Sequence, residues 1–195
     1  MSKTKLYGIE APAKTFPRVV HTLRHEFSGV RSVLDIGAGS GRFLQYFVHG
    51  VYESAKGTWI NEAKPPIERY VAVEPYEKSC ESLRRLSNGV VEVVCEPWEE
   101  VRGVYLRGAY DMVIFWDVAM FLDLRGSHGV EDPVEALTRE LDAMISVTKR
   151  WFLFSLHPVK RCVVCRPDFL RVMGYLDDKL RVRAKYMWNR VYARE

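Results

Sequence analysis

"VLDIGAGSGRF" spans residues 33–43, and its reading decides the fold. A short apolar run ends at Ile36 and meets three glycines at alternating positions, Gly37, Gly39 and Gly41. Glycine reaches positive φ without strain and lets a ligand approach the backbone closely. The pattern reads as a strand turning sharply into a helix, with backbone N–H groups of the turn offered to a polar ligand. A dinucleotide fingerprint, G-x-G-x-x-G, needs a third glycine so that helix and strand pack closely. Arg42 stands at that position, so the spacing here is G-x-G-x-G. Asp35, at the strand end, would repel a pyrophosphate and welcome a cation. The stretch therefore argues for a ligand carrying an ammonium group and against NAD or FAD. It also lacks the Gly-Lys-Ser/Thr ending of a P-loop.

Working outward, further short apolar runs recur: "RYVAVE" (69–74), "VVEVVC" (90–95), "YDMVIFW" (110–116) and "RWFLFSL" (150–156). Their length and their β-branched and aromatic content predict buried strands. Helical patterns lie between them in "GRFLQYFVHG", "YEKSCESLRRL" and "PVEALTRELDAMISV". Alternation of this kind predicts a parallel sheet covered by helices on both faces. Residues 15–27 read as a helix, with Thr15 as cap and Pro17 in its first turn. Residues 167–180 read as a helix, and 181–195 alternate apolar and charged residues as an antiparallel hairpin does. The segment 50–68 shows no clean period and reads as a long connection or insertion.

"VLDIGAGSGRF" resembles the first motif of class I S-adenosylmethionine-dependent methyltransferases, and the resemblance runs over roughly residues 31–156. It implies an α/β fold, a Rossmann-like three-layer sandwich whose mostly parallel seven-stranded sheet ends in a C-terminal antiparallel hairpin. The chain is then a single domain over 1–195. Residues 1–30 form its N-terminal helical segment, 50–68 an insertion, and 157–195 the C-terminal helix and hairpin. The cofactor implied is S-adenosylmethionine. Asp35 would receive the methionine ammonium, while Gly37, Ala38, Gly39 and Gly41 would line the pocket. In "YVAVEPYEKSCESL" the resemblance assigns Glu74 to the two ribose hydroxyls and Pro75 to the adenine face. A carboxylate suits the first role by accepting two hydrogen bonds, although Glu74 could equally cap the helix that follows. In "VVCEPWEEV" the resemblance gives Glu96 the adenine amino group. Pro97 departs from the family there, since it has no N–H to donate to the ring; Trp98 either takes over that contact or packs.

On the acceptor side, Asp117 falls at the carboxyl end of the fourth strand, which in this family faces the sulfonium and the substrate. It either serves the reacting centre or caps a turn. His157 follows the fifth strand and is the candidate general base, against the alternative of a loop histidine without a role. The loop 120–132 and the insertion 50–68 are the segments long enough to cover the opening. The acceptor itself, small molecule or RNA, stays open, as does the alternative of a non-catalytic S-adenosylmethionine-binding protein. The family's Asn/Asp-Pro-Pro-Tyr motif for methylating amino groups of nucleic acids is absent from the fourth strand.

Composition narrows the partners. Residues 149–195 carry 12 Lys/Arg and 4 Asp/Glu, a net +8 against −4 for the rest of the chain. Lys160, Arg161 and Arg166, with aromatic residues interleaved in the tail, would favour an anionic acceptor, RNA included. The same charges on a solvated face would need no partner. No apolar run approaches the ~20 residues of a membrane span, and the N-terminus lacks a secretory apolar region. A cytoplasmic protein without membrane association is expected; oligomeric state is not legible. Cys162 and Cys165 make half a metal site with no second half, so no metal is expected. Cys80 and Cys95 read as isolated, small buried residues.

Overall fold

All five apolar runs match strands to within two residues at each end. The computed structural model describes residues 17–54, 57–118, 132–155, 166–186 and 189–194. Its contacts divide the chain into two compact units, one ending at Trp98 and the other beginning at Glu99.

The first unit holds α1 (Arg18–Thr22), a 3-10 turn (Arg24–Phe27), β1 (Ser32–Ile36) and α2 (Arg42–Leu44), which continues as a π-helical turn (Gln45–His49). The strands β2 (Val51–Ser54), β3 (Gly57–Ile60) and β4 (Arg69–Val73) follow, then α3 (Glu77–Leu86) and β5 (Val91–Val94). Its parallel strands are ordered β5-β4-β1. The central strand β4 is apolar at every position after Arg69 and buried at each, as a parallel strand covered on both faces must be. Phe27, Phe43 and Tyr46 pack around Phe47, with Phe27 edge-on to it at 5.7 Å between centroids.

One expectation changes here and another gains detail. The helix read over 15–27 is broken at Leu23, whose N–H donates to the Val20 carbonyl three residues back, and the chain continues as a 3-10 turn; Thr15 lies outside the described residues. The segment 50–68, read as a long connection or insertion, holds the antiparallel pair β2-β3 with Tyr52 opposite Trp59. Four-residue strands are too short to display a period in sequence. The pair follows Gly50, where the helix that began at the carboxyl end of β1 has come back down. The Glu68 and Arg69 N–H groups then donate to the Arg31 carbonyl just ahead of β1. The chain after the hairpin therefore returns to the amino ends of β1 and β4, away from the glycine turn.

The second unit holds most of α4 (Trp98–Tyr105), then β6 (Tyr110–Trp116), α5 (Pro133–Val147), β7 (Thr148–Ser155), α6 (Arg166–Lys179), β8 (Arg181–Tyr186) and β9 (Asn189–Ala193). Its strands are ordered β6-β7-β9-β8, with β6 and β7 parallel and the last two antiparallel. Asp132 caps α5 by accepting from the Val134 N–H (2.8 Å), with Pro133 in the first turn. Buried Glu140 on α5 accepts from Arg102 on α4 at 2.6 Å. The Arg194 guanidinium satisfies carbonyls of Ile145, Ser146 and Thr148 at the end of α5. The seven sheet strands, mostly parallel with a C-terminal antiparallel hairpin, are the Rossmann-like α/β arrangement expected.

Candidate functional site

The glycine turn wraps the carboxyl end of β4. Ile36 pairs with Val73, and the next two N–H groups, of Gly37 and Ala38, both donate to the Val73 carbonyl (2.8 and 3.0 Å). Gly37, Gly39 and Gly41 all have positive φ, at 72°, 56° and 89°. A chain of L-residues could not follow this path without strain at three places.

Glu74, the residue after β4, joins the turn. One carboxylate oxygen accepts from the Gly39 N–H at 2.8 Å, and the other accepts from the Tyr76 N–H at 3.0 Å. The side chain is buried, which pushes its carboxyl up, and the two N–H groups hold it down in opposition. Two motifs 35 residues apart in the chain thus meet at one carboxylate. The turn N–H groups of residues 37, 38 and 39 are engaged inside the protein. What this turn presents to a ligand is therefore the Glu74 carboxylate and open space, rather than a row of N–H donors.

The three glycines do not share one task. A Cβ built on Gly39 would meet no atom within 4 Å, so the turn there borders open space. A Cβ on Gly41 would come to 3.0 Å from methyl carbons of Leu83 and Leu86 on α3. Gly41 is buried and caps α2; its bareness lets the helix pack on α3, and it does not line a pocket. Ala38 is likewise buried.

Asp35 lies under the turn at 1% exposure. Its Oδ2 accepts from the Tyr70 hydroxyl at 2.6 Å, and among the described residues it forms no ion pair. Burial pushes its carboxyl up to about 7; the Tyr70 hydrogen bond and the Arg42 charge pull the other way, and Glu74 adds a further upward push. Pro75 and Pro97 are half-buried and Glu96 is exposed. Trp98, 2% exposed, opens α4 and is packed inside the protein, so it does not offer a face to a ligand.

In the second unit, Asp117 follows β6 with φ 62°, the one described non-glycine residue at positive φ. Its Oδ1 accepts from the hydroxyl of fully buried Ser155 at 2.5 Å, and its N–H donates to the Ser155 carbonyl at 3.1 Å. The carboxylate is thus held in one orientation at the carboxyl end of β6 and β7. His157, Lys160, Arg161, Cys162 and Cys165, the loop 119–131 and the Arg166 side chain lie outside the described residues.

Three features escaped the sequence reading. Tyr70 and Ser155 sit within apolar strands, where nothing in the pattern marks a hydrogen-bonding role. Cys80 on α3 and Cys95 after β5, read as isolated, form a disulfide with Cα atoms 5.8 Å apart. The Cys80 sulfur also sits 3.0 Å from the Glu74 carbonyl oxygen. Nothing local in the sequence links two cysteines 15 residues apart; parallel pairing of β4 with β5 brings them together. Among the described residues no group of His, Cys, Asp and Glu could hold a metal ion, and no helix is long and apolar enough to cross a membrane.

No protein-family model and no curated protein matches the sequence. Solved structures do match. Magnesium protoporphyrin IX methyltransferase (ChlM) from Synechocystis PCC 6803, solved with bound SAM, is 16% identical over 98% of this chain and 88% of its own, with a TM-score of 0.51. An rRNA methylase from Streptococcus thermophilus is 12% identical over 92% of this chain and 95% of its own, with a TM-score of 0.54. The chain spans less than half (45%) of the plantazolicin methyltransferase BamL, to which it is 14% identical over 72% of its own length, with a TM-score of 0.46. The fold is that of class I S-adenosylmethionine-dependent methyltransferases.

Proposed function

We propose that this chain is an S-adenosylmethionine-dependent methyltransferase. The observation that carries the reading is the hydrogen bond from Gly39 to Glu74, which joins the glycine turn and the acidic strand end into one cradle. Each Glu74 oxygen takes one N–H and retains acceptor capacity, which suits two vicinal ribose hydroxyls. Open space beside Gly39 suits a nucleoside lying against the turn. Asp35, a buried acid without an ion pair among the described residues, suits an ammonium group that supplies the missing cation. Pro75 would lie against the adenine and Glu96 accept from its amino group, with no N–H from Pro97.

When bound, the cofactor supplies a methyl group already activated on a sulfonium. The work left to the chain is to orient and to exclude water, and alignment alone can lower the barrier by ~7–11 kcal/mol. Asp117, held by Ser155, is our candidate for the polar group serving the acceptor, and His157 for the base. The acceptor class we favour is anionic, small molecule or RNA, on the strength of the basic C-terminal segment.

Titration calorimetry with S-adenosylmethionine and S-adenosylhomocysteine tests the reading. Saturable heat with both, and none with NADH, is the expected result; no heat at millimolar ligand would refute it. Incubation with methyl-labelled cofactor and fractionated cell extract then separates an enzyme from a protein that binds without turnover.

A further inference from the structure

Tyr70 has no role in the reading above, yet it makes the shortest hydrogen bond around the cradle. It is fully buried on β4 and pairs in register with Val33, so its ring reaches diagonally along the strand pair to Asp35, two residues on. Its hydroxyl donates to Asp35 Oδ2 at 2.6 Å. Burial and the neighbouring Asp35 carboxylate push the Tyr70 phenol well up, so it stays protonated and remains the donor. A tyrosine hydroxyl in a core needs a partner, and a phenylalanine would fill the same volume without one.

We propose that Tyr70 is a positioning residue for the amino-acid end of the cofactor: its hydroxyl holds the Asp35 carboxylate as an anionic socket for an ammonium group. This rests on the cofactor reading above. A protonated Asp35 offers that ammonium little, so affinity must follow its ionisation. Among the described residues, the charged and titratable groups acting on Asp35 are Tyr70 and Glu74 of β4 and its end, and Arg42 of α2. Tyr70 and Arg42 favour the carboxylate, while burial and Glu74 oppose it. Removing the hydroxyl leaves the opposition less checked, so Asp35 ionises only at higher pH. Affinity for an ammonium-bearing ligand then falls at neutral and lower pH and recovers in alkali.

The test compares Tyr70→Phe with the parent by calorimetry from about pH 6 to about pH 8.5, using S-adenosylhomocysteine and 5′-methylthioadenosine. The second ligand shares the adenosine and lacks the ammonium. The variant should bind S-adenosylhomocysteine about tenfold more weakly at about pH 6, with the deficit narrowing as pH rises. Its affinity for 5′-methylthioadenosine should match the parent throughout. Equal losses for both ligands would mean a distorted fold and overturn the proposal, as would an unchanged pH profile. If Tyr70→Phe does not fold, Asp35→Asn decides: its weak binding of S-adenosylhomocysteine should be flat across this range, and a surviving acid limb overturns the proposal. A parent protein that binds neither ligand defeats the cofactor reading itself, whereas a parent that binds both beside an unaffected variant defeats only the role of Tyr70.

Discussion

Gly39→Ala and Gly41→Ala, two changes of one methyl group two residues apart, should fail in different ways. Both sites have left-handed backbone, at φ 56° and 89°. Placing a Cβ there costs about 1–2 kcal/mol in either case. At Gly39 the methyl meets nothing within 4 Å, so that is the whole cost to the fold. At Gly41 it meets Leu83 and Leu86 methyl carbons at 3.0 Å. Leu86 is half-buried and can turn aside, but Leu83 is fully buried and cannot. Overpacking then adds about 1 kcal/mol, the low end for an inserted methyl, for a total of about 2–3 kcal/mol. For a chain of this size each kcal/mol lowers Tm by about 2–4 °C, so Gly41→Ala should melt about 4–12 °C below the parent and Gly39→Ala about 2–8 °C below. Binding reverses the order. The Gly39 methyl stands in the space a nucleoside needs, and a clash of about 1–3 kcal/mol weakens S-adenosylhomocysteine roughly 5- to 150-fold. Gly41→Ala, below its melting range, should bind within about threefold of the parent. Scanning calorimetry and titration calorimetry on the same preparations give both numbers. A Gly39→Ala protein with parental affinity would refute the cradle, and a Gly41→Ala protein that loses affinity while keeping its Tm would refute the packing role.

Asp35→Asn should trade binding for stability. The Asp35 carboxyl rises from 3.8 to about 7 in the folded chain, so the native state holds the extra proton between those values and its stability declines as pH rises through them. The variant escapes that decline and should be more stable at about pH 8 by on the order of 2–4 kcal/mol, while the difference vanishes near about pH 4; urea unfolding at both pH values checks this, and a less stable variant at the higher pH contradicts it. Glu74→Ala leaves the Gly39 and Tyr76 N–H groups without their acceptor, and should lose about 1–3 kcal/mol of stability together with most affinity for S-adenosylhomocysteine. Reduction of the Cys80–Cys95 disulfide frees a loop of separation 15 and should cost about 3 kcal/mol in urea unfolding; alkylation and mass spectrometry before reduction should find neither thiol free.

The sequence by itself was enough for the alternation of strands and helices, because the buried parallel strands are apolar at nearly every position and short. It was enough for the glycine turn, because φ above zero at three nearby positions demands glycine whatever lies around it. Asp35 and Glu74 were legible for a similar reason: a carboxylate closing an apolar strand stands out against its neighbours. Tertiary structure decided what these residues touch. Parallel pairing of β1 with β4 sets Glu74 on Gly39 and Tyr70 on Asp35, both 35 residues apart, and pairing of β4 with β5 sets Cys80 against Cys95. It also separated Gly39, which borders open space, from Gly41, which packs on α3, although the two look alike in the chain. The hairpin at 51–60 left no period in the sequence because its four-residue strands pair with each other, apart from the main sheet. Local preference depends on a residue and its few neighbours along the chain; partnership across a sheet depends on register, which no single stretch contains.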